Sequence, residues 1–207
     1  MLRVILFTIL FYTGILSHAH AKDSTAILLF GDSITAGYGL SNAESLPSQL
    51  EDLLQETHPE IRVINGSVSG DTTSGGRNRL AWTLDKYHPN LVVLALGGND
   101  VLRGIPPELT RENLAAMLEL LKTRDIPVVL SAVQAPENLG AEYENTINSL
   151  YPKLAKTYDI PLIPFLIAPT YGNPALMQAD GIHPNAEGVK VIAKSLLPIL
   201  LKHTSTL

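Results

Sequence analysis

Several polar clusters in this chain fall where an apolar run stops. Gly31-Asp32-Ser33 follows the run 27–30, Ser69-Gly70-Asp71 comes after the run 61–64, and Gly97-Gly98-Asn99-Asp100 follows the run 91–96. A further cluster, Asp180-Gly181-Ile182-His183, stands just before the last amphipathic stretch. A serine directly after Gly-Asp is either a nucleophile or an ordinary turn-capping hydroxyl. The other clusters tip the balance toward chemistry. Acyl transfer by a serine needs a hydroxyl, an imidazole base, a carboxylate that holds the imidazole, and donors aimed at the developing oxyanion. These clusters offer one candidate for each.

Clusters so far apart in sequence can cooperate only if the fold gathers them. Short apolar runs over 26–30, 61–64, 91–96, 127–133 and 161–167 read as strands, and the run 91–96 is the clearest. Between them lie helical patterns over 44–57, 78–87, 107–124 and 142–158, and a closing helix runs from Asn185, its N-cap, to about residue 202. The stretch 67–74 reads as a polar, glycine-rich loop. The strand runs are continuously apolar rather than alternating, so the sheet is buried on both faces and mostly parallel. With no repeat, linker or low-complexity block, residues 22–207 read as a single α/β domain. In an open parallel sheet, ligands bind beyond the carboxyl ends of the strands, where the first three clusters fall.

Gly31-Asp32-Ser33-Ile34, Gly70, Gly97-x-Asn99-Asp100 and Asp180-x-x-His183-Pro184 resemble, in order, the conserved blocks of the SGNH (GDSL-type) hydrolases. The resemblance implies a flavodoxin-like, three-layer α/β/α fold on a five-stranded, mostly parallel sheet. It implies Ser33 as nucleophile, His183 as general base and acid, and Asp180 as the group orienting it. The Ser33 and Gly70 N–H groups and the Asn99 amide would form the oxyanion hole. Ile34 stands where the family motif has leucine, an apolar exchange that leaves Ser33 untouched. Elementary chemistry agrees with these roles. Gly70 has no Cβ to keep an oxygen from its N–H, and Asn99 offers a neutral donor that adds no buried charge. Asp180 is close enough in sequence to reach the His183 ring within a tight loop.

The remaining candidates read more plainly. His58-Pro59 and His88-Pro89 are also His-Pro pairs, but neither has an acid three residues earlier, and each ends a helical pattern. Asp32 reads as a loop acceptor, Asp71 and Asp100 as turn caps, with Asp100 alternatively helping to hold Asn99, and nothing near Ser69 would activate it. Gly37-x-Gly39 and Gly75-Gly76 lack the rest of a phosphate-binding signature, and the acids and histidines lack metal-ligand spacing. No metal or cofactor is expected. Arg103, Ile105 and Pro136 are assigned to loops flanking an acyl groove.

The chain has 207 residues, a formal net charge of −5 and no cysteine. No basic stripe points to nucleic acid, and a thiol nucleophile or disulfide framework is excluded. Residues 1–21 combine one positive charge, an apolar run and Ala19-His20-Ala21. They read as a secretory leader cut after Ala21, the alternative being an uncleaved anchor. The run is shorter than the roughly 20 residues a comfortable span needs. With the family's activity, this makes the expected protein a monomeric periplasmic or secreted hydrolase of ester and thioester bonds in acyl substrates such as lysophospholipids, with at most peripheral membrane contact. A carbohydrate O-acetyl esterase on the same fold is the alternative, and a catalytically dead lipid carrier is a third reading that the complete set of site residues opposes.

Overall fold

A computed structural model of the chain describes residues 25–204, so the leader assigned to 1–21 lies outside the described residues. The apolar run after Pro89 becomes β3 (Leu91–Ala95), buried at every position and central in the sheet. Around it lie β1 (Thr25–Gly31), β2 (Ile61–Asn65), β4 (Val128–Ser131) and β5 (Leu162–Ile163), all parallel, in the order β2-β1-β3-β4-β5. This is the expected architecture.

Both faces of the sheet are covered. Alternate residues of β1 serve opposite layers: Leu28 and Phe30 pack with Leu80, Leu114 and Ile147, while Ile27 and Leu29 pack with Leu50, Val189 and Ile192. The first layer is built by α3 (Thr73–Tyr87), α5 (Pro107–Thr123) and α6 (Ala141–Tyr158), the second by α2 (Leu46–Gln55) and α7 (Ala186–Thr204). A helix on each side of a continuously apolar sheet removes both its faces from water, which is the dominant favourable term in such a fold. Among the described residues no helix is long and apolar enough to cross a membrane.

Helix starts differ from the expectation in instructive ways. The pattern over 44–57 splits into a 3-10 turn (Asn42–Glu44) and α2, because Pro47 fits only a helix's first turn. Helix α3 begins at Thr73 rather than near 78, since the Thr72 hydroxyl caps it by accepting from the Gly75 N–H. Gly76 sits inside that helix because a Cβ there would come within 2.2 Å of Leu96 Cδ1. Asn185 caps α7 as expected, accepting from the Gly188 N–H at 3.0 Å. His88 closes α3 with a left-handed φ of 45°.

From β1 the chain moves outward to β2 and then crosses back to β3 on the other side of β1. The strand order therefore reverses between β1 and β3, and a crevice opens beyond their carboxyl ends.

Candidate active site

Ser33 owes its place to Gly31 and Asp32. A Cβ on Gly31 would lie 2.7 Å from the Ala95 carbonyl oxygen, so only glycine lets β1 run this close to the end of β3. Asp32 Oδ1 then accepts from the Ile34 N–H at 3.1 Å and caps the short helix α1 (Ser33–Ala36), whose first residue is Ser33. Its N–H, at the first helical position, has no partner within the helix.

Asp180 and His183 stand on a tight loop closed by an antiparallel bridge between Met177 and Pro184. Asp180 Oδ1 accepts from the N–H groups of Ile182 (2.9 Å) and His183 (3.0 Å), and Oδ2 lies 2.7 Å from His183 Nδ1. The hydrogen bonds from His183 backbone and ring, with that from Ile182, hold the Asp180 carboxyl down at about 2. An ionised Asp180 can only accept, so the neutral imidazole carries its proton on Nδ1 and leaves Nε2 as an acceptor. Nε2 lies 2.8 Å from Ser33 Oγ. Hydroxyl, imidazole and carboxylate thus stand in an unbroken line, with the hydroxyl proton able to pass to Nε2.

The loops after β2 and β3 interlock beside this line. Asn99, in the short helix α4 (Gly98–Leu102), donates from Nδ2 to the Asp71 carbonyl oxygen at 2.9 Å. Gly70 precedes Asp71 and has a φ of 81°; among the described residues its N–H meets no protein acceptor. Gly70 and Asn99 thus stand on two interlocked loops beyond the ends of β2 and β3, on the sheet edge where β1 delivers Ser33. Asp71 does not cap a turn as expected. It pairs with Arg79 at 2.6 Å, while the same guanidinium donates to the Gly66 and Gly31 carbonyls and stacks on Phe30. Asp100 is not a turn cap either. It is 1% exposed and accepts from the Thr73 N–H and hydroxyl and from the Thr110 hydroxyl, tying α4 to the starts of α3 and α5.

A cleft of about 820 Å³ opens from Asp32 and Ile34 toward the ends of β4 and β5. Val101, Leu102, Pro136 and Ile182 are among its walls. Of the three residues assigned to the groove, Pro136 lines the cleft, whereas Arg103 and Ile105 lie off it. Arg103 is drawn to the Gly70 carbonyl, to which its Nη2 donates at 2.9 Å. The Ile105 carbonyl accepts from the Tyr143 hydroxyl at 2.9 Å, which turns that stretch back toward α6. Among the described residues no three His, Asp or Glu side chains are grouped as metal ligands would be.

Asp32 is 5% exposed, and burial pushes its carboxyl up to about 6 from the ordinary 3.8, against the lowering effect of the Ile34 N–H. The folded protein therefore keeps this proton through a window in which the unfolded chain has lost it, and stability falls as pH rises from about 4 to about 6. Asp32→Asn keeps the acceptor for Ile34 and removes the charge. It is expected to be more stable than the parent by about 1–3 kcal/mol at pH 7 and to lose that advantage near pH 4. Urea unfolding at both pH values checks this; a gap independent of pH rejects it.

Arg79 escaped the sequence reading, because an arginine inside a helix carries no local mark of its distant partners.

A parallel α/β fold with this line of groups at its carboxyl edge defines a carboxylic ester hydrolase. The chain belongs to the GDSL-like lipase/acylhydrolase family, whose pattern it matches over residues 29–191, and so to the SGNH hydrolases its motifs resemble. It is 40% identical over 185 residues to an arylesterase of Vibrio mimicus, covering 89% of this chain and 92% of that one. It is 39% identical over 189 residues to the thioesterase 1/protease 1/lysophospholipase L1 of Escherichia coli strain K12, covering 89% of each. Among solved structures, the psychrotrophic esterase EstA of Pseudoalteromonas sp., inhibited by monoethylphosphonate, superimposes with a TM-score of 0.83 at 30% identity, over 87% of this chain and 99% of that one.

Proposed function

We propose that the chain is a secreted serine hydrolase that cleaves ester and thioester bonds of acyl substrates, lysophospholipids, acyl thioesters and aryl esters among them, through an acyl-enzyme on Ser33. The reading is carried by the Ser33–His183–Asp180 line, with contacts of 2.8 Å and 2.7 Å. Ser33 Oγ attacks the acyl carbonyl as its proton passes to His183 Nε2, and Asp180 balances the imidazolium. The oxyanion is held by the Ser33 and Gly70 N–H groups and the Asn99 amide. His183 gives its proton to the leaving alcohol or thiol, and the acyl group stays on Ser33. Water then repeats the steps in the same order, releasing the acid and restoring the serine.

The apolar walls of the cleft support an acyl chain as the group it takes. The relatives named an arylesterase and a thioesterase/lysophospholipase support oxygen esters and thioesters as the bonds cleaved. The reading of residues 1–21 as a secretory leader supports action outside the cytoplasm. An O-acetyl sugar esterase is the second reading, favoured by Phe165 and Tyr171, which meet edge to face at 5.4 Å on the cleft wall. Trp82, by contrast, is exposed on α3 and takes no part in the cleft.

Phosphonate labelling tests the acyl-enzyme. An activated ethylphosphonate ester is expected to inactivate the protein with one covalent equivalent, found by mass spectrometry on the peptide containing Ser33. A label elsewhere, or undiminished hydrolysis after labelling, overturns the reading. Nitrophenyl esters and acyl thioesters of increasing chain length then choose the substrate. Preference for longer chains supports the acyl hydrolase, and activity confined to acetyl esters supports the sugar esterase.

A further inference from the structure

Ser33 and His183 stand 150 positions apart in sequence, on segments that must meet to within a hydrogen bond. The bonds inside the His183 loop fix its own shape but not its place against α1. Apart from the Ser33–His183 contact, one hydrogen bond among the described residues joins the loop to the segment following Ser33, and it comes from Gln178. Gln178 Nε2 donates to the Tyr38 carbonyl at 2.8 Å and to the Pro184 carbonyl at 3.0 Å, while its backbone N–H donates to the His183 carbonyl at 2.7 Å. Two carbonyl acceptors use both amide hydrogens, which settles the orientation of the amide. The opposing chain is shaped to receive it: a Cβ on Gly39 would stand 2.4 Å from Gln178 Oε1, and Gly39 has a φ of +75°. Tyr38, whose carbonyl the amide holds, lays its ring against the imidazole, with centroids 4.7 Å apart and planes at 39°.

We propose that Gln178 is a positioning residue for acyl transfer, bracing the Tyr38–Gly39 turn against the His183 loop and so setting the separation of Ser33 Oγ from His183 Nε2. The inference rests on the acyl-transfer reading above. Gln178 touches His183 only through the backbone and acts through the two loops it joins. Freed of it, the loops keep their own turns but lose register, and proton transfer depends steeply on that register. A misplacement of about 1 Å can cost roughly a hundredfold in rate.

The test compares Gln178→Met, which fills similar space without donors, with Gln178→Glu, which sets a carboxylate against two carbonyl oxygens. For a nitrophenyl ester, kcat is expected to fall about 10- to 100-fold in both, with KM within about twofold of the parent. The Gln178→Glu deficit is expected to shrink as pH is lowered toward about 5, where a protonated carboxyl regains one donor, while the Gln178→Met deficit stays level. Thermal unfolding is read alongside. If Gln178→Met does not fold, the pH dependence of Gln178→Glu relative to the parent decides alone. A kcat within about twofold of the parent in the folded variants, a loss carried by KM, or a Gln178→Glu deficit independent of pH overturns the brace. Ser33→Ala is run in parallel. A parent no faster than Ser33→Ala overturns the acyl-transfer reading itself, whereas an active parent with unaffected Gln178 variants overturns only the brace.

Discussion

Ser33→Ala is expected to lower kcat for ester hydrolysis by roughly 10⁴ to 10⁶, with KM little changed, because it deletes the hydroxyl proposed to form the acyl-enzyme and leaves the cleft intact. His183→Ala should cost about as much, and the double variant little more, since the two act as a unit. The more discriminating variant is Asp180→Asn. Asp180 Oδ1 accepts from two backbone N–H groups, at 2.9 Å and 3.0 Å. An asparagine satisfies both only by placing its oxygen there, which sets its NH₂ against His183 Nδ1. That NH₂ donates, so the ring must accept at Nδ1 and carry its proton on Nε2, facing Ser33. The base is then in the wrong tautomer although nothing has moved, and kcat is expected to fall about 10⁴-fold. Steady-state kinetics with thermal unfolding checks the series. Asp180→Asn that folds and keeps kcat within about tenfold of the parent would sink the tautomer argument, and an active Ser33→Ala would sink the nucleophile.

The parts of the site legible in the sequence are short blocks that gain meaning from one another: Gly31-Asp32-Ser33 alone is also a turn, and the clusters at Gly70, Asn99 and Asp180-x-x-His183, in family order, are what make Ser33 a nucleophile. Continuous apolar runs predict a parallel sheet whose strand ends fall on one edge. What was not legible depends on contacts across the chain. Arg79 reaches Gly31, 48 positions away, and Gln178 reaches Tyr38, 140 positions away. Nothing in the flanking residues encodes either reach. The sequence pattern starts α3 near 78 rather than at Thr73, because Gly75 and Gly76 argue against helix by propensity. Packing against Leu96, which demands a glycine at 76, overrides that preference. Arg103, assigned from the sequence to a loop flanking the groove, gives its guanidinium to the Gly70 carbonyl instead. Asp71 and Asp100 looked alike in sequence and differ in structure, one paired with a cation and the other buried among hydroxyl and N–H donors.

Those hidden contacts bear on the second large effect, at Asn99. Its Nδ2 has two hydrogens, and the 2.9 Å bond to the Asp71 carbonyl takes one, leaving the other for the oxyanion of the proposed mechanism. That bond fixes the amide before substrate arrives, and Arg79 fixes Asp71 in turn, so the donor is held by a chain of contacts leading back to the end of β1. A preorganised donor of this kind gains most when charge develops on the oxygen, and little on the uncharged carbonyl. Asn99→Ala is therefore expected to lower kcat by about 10² to 10³ while KM stays close to the parent's. Asn99→Asp should be worse than alanine when ionised. It withdraws both donors, opposes the Asp71 carbonyl and sets a negative charge where the oxyanion forms. Binding of a non-hydrolysable ketone analogue that traps as a tetrahedral adduct should weaken in parallel with kcat, since it carries the same oxyanion. A proportional rise in KM with unchanged kcat would place Asn99 in ground-state binding and remove it from the oxyanion hole.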